Sequence, residues 1–294
     1  MEYTQNDIDN NCDDEMDFVQ WLDQEGFINT HNRPCTQCNA QMVVERFGGN
    51  VDGVCMRCPD QDCRHHETVR KWSFFQPSTL SLIVQMRLII AFAADASVMS
   101  TSSQYSLSRT TVTNYFDNIR GRWRDDLAAN PIQFNDGGIY EVDECQLKHI
   151  QDSQGNVLQY VWVAGILERA TGQVRMYRVP SRSNQSLIPP ITQHVPAGAF
   201  IFSDELTTYF ALEDPNYCFY HLTVNHSNGE YSRTDNIPGV GNIQVHTNTI
   251  EGAWSVLRSR LRYRTRKNLE RVDMYLDELM CRRSGRSLFD PIKY

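Results

Sequence analysis

The chain has 294 residues, enough for about two domains of ordinary size, and its hydrophobic content of 40% fits a globular protein with a sizeable core. Spread evenly, a formal charge of −8 would argue against a polyanionic partner, but residues 1–30 alone hold nine Asp or Glu and no Lys or Arg. Removing those nine negative charges leaves the rest of the chain at about +1, and within it the span 258–286 carries ten Lys or Arg against four Asp or Glu, the local cluster a polyanion would feel.

The first thirty residues lack both a positive start and an apolar core, so no signal peptide is expected. The run MDFVQWLDQEGFI over 16–28 has apolar residues at near-helical spacing, which suits either a short helix docked on the body or a mobile tail with one sticky helix. Residues 33–72 follow, with five of the nine cysteines crowded between 35 and 63. Thr79 to Ala94 then reads as a helix with Leu80, Ile83, Val84, Leu88 and Ile89 on a wide apolar stripe. The apolar window 80–99 includes Arg87 and Asp95, which marks it as a buried helix and not a membrane span. SVMSTSSQYSL comes next, then a helix N-capped by Ser108, with Val112, Tyr115, Phe116 and Ile119 at helical spacing. Three helices with short connections and an arginine-bearing last helix, Arg109 at its head, suggest a helix-turn-helix; a plain helical connector is the alternative.

From about residue 138 the texture changes. GIYEVDEC, YVWVAGILE, QVRMYRV and AFIFSDE are apolar runs rich in β-branched and aromatic residues, separated by turns such as SQGN and RATGQ, and they predict a sheet of at least four strands. Helices are predicted at about 183–194, 205–213, 249–262 and 268–283. Strands first and helices later argue for an α/β domain around a mixed sheet.

Two features carry chemistry. The first is Cys35-Thr-Gln-Cys38 followed by CMRCPDQDC with Cys55, Cys58 and Cys63, two thiolate pairs suited to a tetrahedral structural zinc site. Spacing alone leaves open which four of the five would ligate, and His65 and His66 are also in reach. The second is a set of three acids. Asp143 and Asp204 each end an apolar run, which projects a carboxylate from a strand tip, where α/β folds build sites. Glu251 shares a helix face with Ser255, Arg258 and Arg262, beside the core stripe Ile250, Trp254, Leu257 and Leu261. Hard oxygen ligands in this number suit a pair of Mg²⁺ ions, which can stabilise both oxygens of a phosphodiester displacement, with arginines to hold the polyanion. Each acid also has a local explanation: an Asp after a strand starts a loop or caps a helix, and Asn248-Thr-Ile-Glu251 fits a capping box with Asn248 as N-cap.

DGVCMRC, CRHHETVRKWSFF, YEVDE, YVWVAGILERATGQ, SDELTTYFAL, VNHS and VHTNTIEGAWSVLR, in that order, resemble transposases of Merlin-type elements and their ISXO-like insertion-sequence relatives, from about Cys35 to Arg283. The resemblance implies a zinc-binding module, a helix-turn-helix region and a ribonuclease H-like catalytic domain with a DDE-type triad. By position the triad acids are Asp143, Asp204 and Glu251, with Asn248 a further participant because some relatives use Asn third. Arg258 matches the basic position after the third acid, and Arg260, Arg262 and Arg264 continue the DNA-facing set, with 262–266 as the expected helix end. His226 and His246 look like site-lining residues. The family's zinc pattern favours Cys35, Cys38, Cys58 and Cys63, with Cys55 the alternative ligand. Two departures stand out: Met56 replaces the aromatic residue usual before the third cysteine, and ECQLKHIQDSQGN is less basic than expected.

The resulting expectation is a DDE-type transposase using Mg²⁺ or Mn²⁺, with Zn²⁺ in its N-terminal module. It would cleave and join double-stranded DNA at terminal inverted repeats and target, as a homo-oligomer without membrane association. The alternative is a domesticated transposase kept as a DNA-binding regulator. Expected segments are an acidic stretch over 1–31, a zinc module over 32–76, a helical DNA-binding region over 77–130 and the catalytic domain over 131–294. The expected compartment is intracellular, the nucleus in a eukaryotic host or the cytoplasm in a bacterial one.

Overall fold

Contacts within the chain divide it into two compact units, residues 1–122 with 287–294, and residues 123–286. The computed structural model describes residues 2–76, 78–151, 154, 157–261 and 269–294. The C-terminal octet, expected with the catalytic domain, thus falls in the first unit.

In the first unit, α1 (Gln5–Asp9) and α2 (Glu15–Gln24) precede a three-stranded antiparallel sheet, β1 (Val43–Arg46), β2 (Val54–Arg57) and β3 (His66–Glu67). The acidic start is a docked element and not a tail: Ile8, Phe18, Val19, Leu22, Phe27 and Ile28 are all buried. The helices α3 (Leu82–Ala93), α4 (Val98–Gln104) and α5 (Arg109–Ala129) follow, α3 and α5 near where the apolar spacing placed them. Ser81, Ser97 and Ser108 each accept a backbone N–H from three residues on, which fixes the three helix starts. The buried pair Arg70 and Asp52 ties the sheet to α3, since Asp52 also accepts from Leu82 N at 3.1 Å. No described helix is long and apolar enough to cross a membrane.

The second unit is built on a five-stranded sheet of order β6-β5-β4-β7-β8, formed by β4 (Ile139–Gln151), β5 (Val157–Glu168), β6 (Val174–Val179), β7 (Phe200–Asp204) and β8 (Tyr220–Val224). The first three strands pair antiparallel as a meander, and β7 and β8 then add in parallel with β4. This mixed sheet flanked by helices is the α/β arrangement that strands first and helices later predicted. Alternation sends Tyr140, Val142, Ala164 and Ile166 to one face, where α6 (Asn184–His194) packs through Leu187, Ile188 and Ile191. Val161, Val163, Val174 and Met176 face the other way, against α7 (Asn248–Arg260) and α8 (Leu269–Arg283) through Ile250, Trp254, Leu257, Val272, Leu276 and Leu279.

The structure differs from the sequence-based expectation in four places. β4 and β5 reach further toward each other than predicted, with register shifts at Gln146/Lys148 and Ile150/Gln151, so Asp143, expected at a strand tip, lies within β4 because the pairing continues past it. β8, with polar His221 and Thr223 between apolar residues, lacked an apolar run and was not predicted. The antiparallel hairpin of β9 (Arg233–Ile237) and β10 (Gly241–Val245) was also missed, since its residues are mostly polar. The helix expected over 205–213 is a 3-10 segment, Thr207–Glu213.

Candidate active site and cysteine cluster

Alternation along β4 turns Glu141, Asp143 and Cys145 toward α7, and each meets the helix one turn further on. Glu141 accepts from the N–H groups of Thr249 and Ile250, both at 2.9 Å, and from Thr249 Oγ1 at 2.8 Å. Asp143 Oδ2 accepts from Trp254 Nε1 at 2.8 Å. Arg258 Nη2 lies 3.0 Å from Cys145 Sγ. Two strand residues advance about 6.6 Å and four helical residues about 6 Å, so a helix lying along a strand repeats its contacts at this spacing.

Asp143 and Asp204 come together because of the parallel pairing of β4 and β7. Ile139 pairs with Phe200, an offset of 61 residues, which is also the separation of Asp143 and Asp204 and carries the two acids to the same level. One carboxylate oxygen each from Asp143, Glu144 and Asp204 lies within 4.8 Å of the others. Glu144 is already engaged: Arg182 donates to Oε1 from Nε at 2.7 Å, and Tyr209 Oη donates to Oε2 at 2.7 Å. Loss of hydration pushes the Asp143 carboxyl up to about 8, the negative charges of Glu144 and Asp204 add to this, and the Trp254 N–H opposes it.

Glu251 lies outside that group of three. Its Oε1 accepts from Thr247 Oγ1 at 3.1 Å and sits 3.6 Å from His226 Nδ1, and its side chain is 43% exposed. The capping-box reading is corrected on two counts. Thr247, not Asn248, is the N-cap, and Asn248 is the first helical residue and exposed. The carboxylate that satisfies the first N–H groups of the helix is Glu141, reaching from the strand, so Glu251 is left facing outward. His226 also approaches Thr247 Oγ1, at 3.4 Å. His246 Nδ1 lies 3.2 Å from Arg169 Nη2 and 3.3 Å from Glu141 Oε1, and burial lowers its pKa.

Arg169, at the β5 end, was not singled out from sequence. Its Nε and Nη2 donate to Glu141 Oε1 at 2.9 and 2.8 Å, it bonds the carbonyls of Gln244 and His246, and it lies over the Phe202 ring. Among the expected DNA-facing residues, Arg109 is exposed at the start of α5 and Arg258 is exposed on α7. Arg260 is instead bound to Glu278, whose carboxylate is 1% exposed and also takes Arg282, so it ties α7 to α8. Arg262, Arg264 and the helix end expected over 262–266 lie outside the described residues; α7 itself ends at Arg260.

In the first unit the Sγ atoms of Cys35, Cys38, Cys58 and Cys63 all lie within 4.8 Å of one another. Cys35 and Cys63 are 3.6 Å apart and Cys38 and Cys58 are 3.3 Å apart, near the ~3.8 Å edge of a tetrahedron with zinc–sulfur bonds of about 2.3 Å. Cys55 is buried on β2 opposite Glu45 and does not join the group.

A family described as ISXO2-like transposase domain matches residues 139–283. Solved structures similar to the chain include the HTLV-2 integrase catalytic core domain in complex with magnesium, in its trimeric form, at 10% identity and a TM-score of 0.31, covering 50% of this chain and 85% of that one. The simian T-cell lymphotropic virus intasome in complex with the PP2A regulatory subunit B56 gamma is similar at 12% identity and a TM-score of 0.30, covering 64% of this chain and 66% of that one. No curated protein matches the chain.

Proposed function

We propose, since residues 139–283 match the ISXO2-like transposase domain, that this chain is a DDE-type DNA transposase whose polynucleotidyl transfer is carried by Asp143, Asp204 and Glu251. The observation that carries the assignment of residues is the meeting of Asp143 and Asp204 on adjacent parallel strands, with a helix bearing a third acid laid along them. The donor set suits Mg²⁺ or Mn²⁺, being hard carboxylate oxygens, and burial first, then the charges of Glu144 and Asp204, raise the Asp143 carboxyl. Bound there, such ions supply Lewis-acid stabilisation of the attacking and leaving oxygens.

The protein's own residues do the rest. Trp254 fixes the Asp143 carboxylate by its N–H, and Arg182 neutralises Glu144, which leaves Asp143, within β4, and Asp204, at the end of β7, for cations. Glu251, half-buried and hydrogen-bonded by Thr247, is assigned as the third ligand from the helix, with Asn248 and His226 near it. Arg258 and Arg109 are assigned to DNA phosphates, in terminal inverted repeats and target, and Arg260 in this reading orders α8 behind them. Cys35, Cys38, Cys58 and Cys63 are assigned to one structural zinc ion, and a homo-oligomer is expected to hold paired ends.

The test is metal-dependent nicking and joining of DNA by the purified chain with Mg²⁺ or Mn²⁺. Activity of the wild type above that of Asp204→Ala is expected, and equal activity sinks the proposal.

A further inference from the structure

Glu141 is two residues before Asp143 on the same face of β4, yet it is fully buried at 0% exposure and makes no approach to the acid group. A buried carboxylate is costly unless its lone pairs and charge are answered. Here they are answered from two sides. Oε1 receives Arg169 Nε and Nη2 and Thr249 Oγ1, and Oε2 receives the Thr249 and Ile250 N–H groups. Those two N–H groups are among the orphan donors of the α7 N-terminus, where the helix dipole also favours a negative charge. The Thr247 side chain makes no cap bond to the backbone, so the strand carboxylate stands in for the usual local cap.

We propose, building on the functional reading above, that Glu141 is a positioning residue which sets where Glu251 stands relative to Asp143 and Asp204. A local cap would fix only the helix start. A cap delivered from β4 fixes the start of α7 against the strand that carries Asp143, so the first turn, and Glu251 within it, is held in register with Asp143. Arg169 supports the arrangement from behind: it pins Glu141 and, through the Gln244 and His246 carbonyls, the chain leading into α7. Glu141 therefore acts through Glu251 and touches no substrate.

Five proteins decide it: wild type, Glu141→Gln, Glu251→Gln, the double variant and, as a stability control on the opposite face of the sheet, Leu187→Ala. Gln keeps one acceptor but turns an NH₂ toward donors and loses the charge that Arg169 and the helix start answer. The readouts are Mn²⁺ binding by calorimetry without DNA, and Mn²⁺-dependent nicking of supercoiled plasmid. The expected result is that E141Q weakens Mn²⁺ binding and raises the half-saturating Mn²⁺ by about tenfold, the scale of a lost outer partner of a metal ligand. L187A is expected to lower the melting temperature without moving either quantity. In addition, E141Q in a Glu251→Gln background should weaken Mn²⁺ binding little further, because its effect passes through Glu251. Unchanged Mn²⁺ binding by E141Q, or fully additive effects of the two changes, overturns the proposal. Failure of the functional reading is separate: it appears as equal nicking by wild type and D204A.

Discussion

Gly165 stands directly across β5 from Asp143, and the space its missing side chain leaves is filled by the Trp254 indole, which donates to Asp143. A Cβ at residue 165 would lie 2.7 Å from Trp254 Cη2 and 2.9 Å from Cζ2. Trp254 is 2% exposed in the α7 core cluster, and Ile250 Cδ1 would also lie 3.1 Å from the added atom. Gly165→Ala should therefore cost about 1–3 kcal/mol by overpacking and displace the donor from Asp143. Trp254→Phe should keep most of the packing but lose the hydrogen bond. Thermal melts separate the two in stability, and both are expected to reduce Mn²⁺-dependent nicking. Wild-type nicking by either variant would show that the indole does not hold Asp143 for catalysis.

The Asp143 carboxyl gives a pH signature in metal-free protein. Its folded value near 8 lies above the ordinary 3.8, so the folded state binds the proton more tightly than the unfolded chain. Its contribution is fully present below pH of about 4 and is lost as pH rises through about 8, at no more than about 1.4 kcal/mol per pH unit. In EDTA, Asp143→Asn is expected to melt higher than wild type at pH 8 and to show a flatter pH dependence between 4 and 8. Mg²⁺ or Mn²⁺ should raise the wild-type melting temperature at pH 8 and leave D143N nearly unmoved. Parallel pH–stability curves for the two proteins in EDTA would refute the assignment.

Much of this unit was legible in the sequence because its periodicities are clean. The stripe Ile250, Trp254, Leu257 and Leu261 gave α7 its buried face, and the apolar runs ending in Asp143 and Asp204 gave two neighbouring strands, although only Asp204 ends its strand and Asp143 lies within β4. Glu141 stood within the quoted YEVDEC motif but received no role, since its partners Thr249 and Arg169 are 108 and 28 residues away and no local pattern joins them. That omission produced both errors at the helix start. With the Glu141 cap unseen, Asn248 and Glu251 were the natural capping pair. The β9–β10 hairpin escaped for a different reason: only Ile243 and Val245 of its ten residues are buried, so burial left little imprint on its composition.

The cysteine group predicts a selective loss of metal. Cys63→Ser or Cys38→Ser should abolish bound zinc measured by atomic emission and loosen the first unit. Cys55→Ala should retain one zinc per chain, with a stability loss of about 1 kcal/mol from a small buried side chain. Zinc loss in Cys55→Ala with retention in Cys63→Ser would exchange their roles.

The acidic segment predicts a split between its charges and its apolar residues. Asp14 pairs with Arg46 and Asp9 with Arg87, but these pairs are exposed and screened by salt. Asp14→Asn keeps an N-cap acceptor for Met16 N and removes only charge, so the melting temperature should hardly change. Leu22, fully buried at 0%, lies on the helix face with Phe18 and Val19, and Leu22→Ala should cost about 2–5 kcal/mol. The C-terminal octet shares this core: Tyr3 packs edge-on to Phe289 at 4.8 Å and the Tyr294 N–H bonds the Gly26 carbonyl at 2.6 Å. Truncation at residue 286 should therefore destabilise the first unit as Leu22→Ala does, even though it removes no residue of the segment itself. Denaturant melts of the two variants decide the point: if truncation leaves the midpoint unchanged, the octet is an ornament on the surface and the segment is held by its own helices alone.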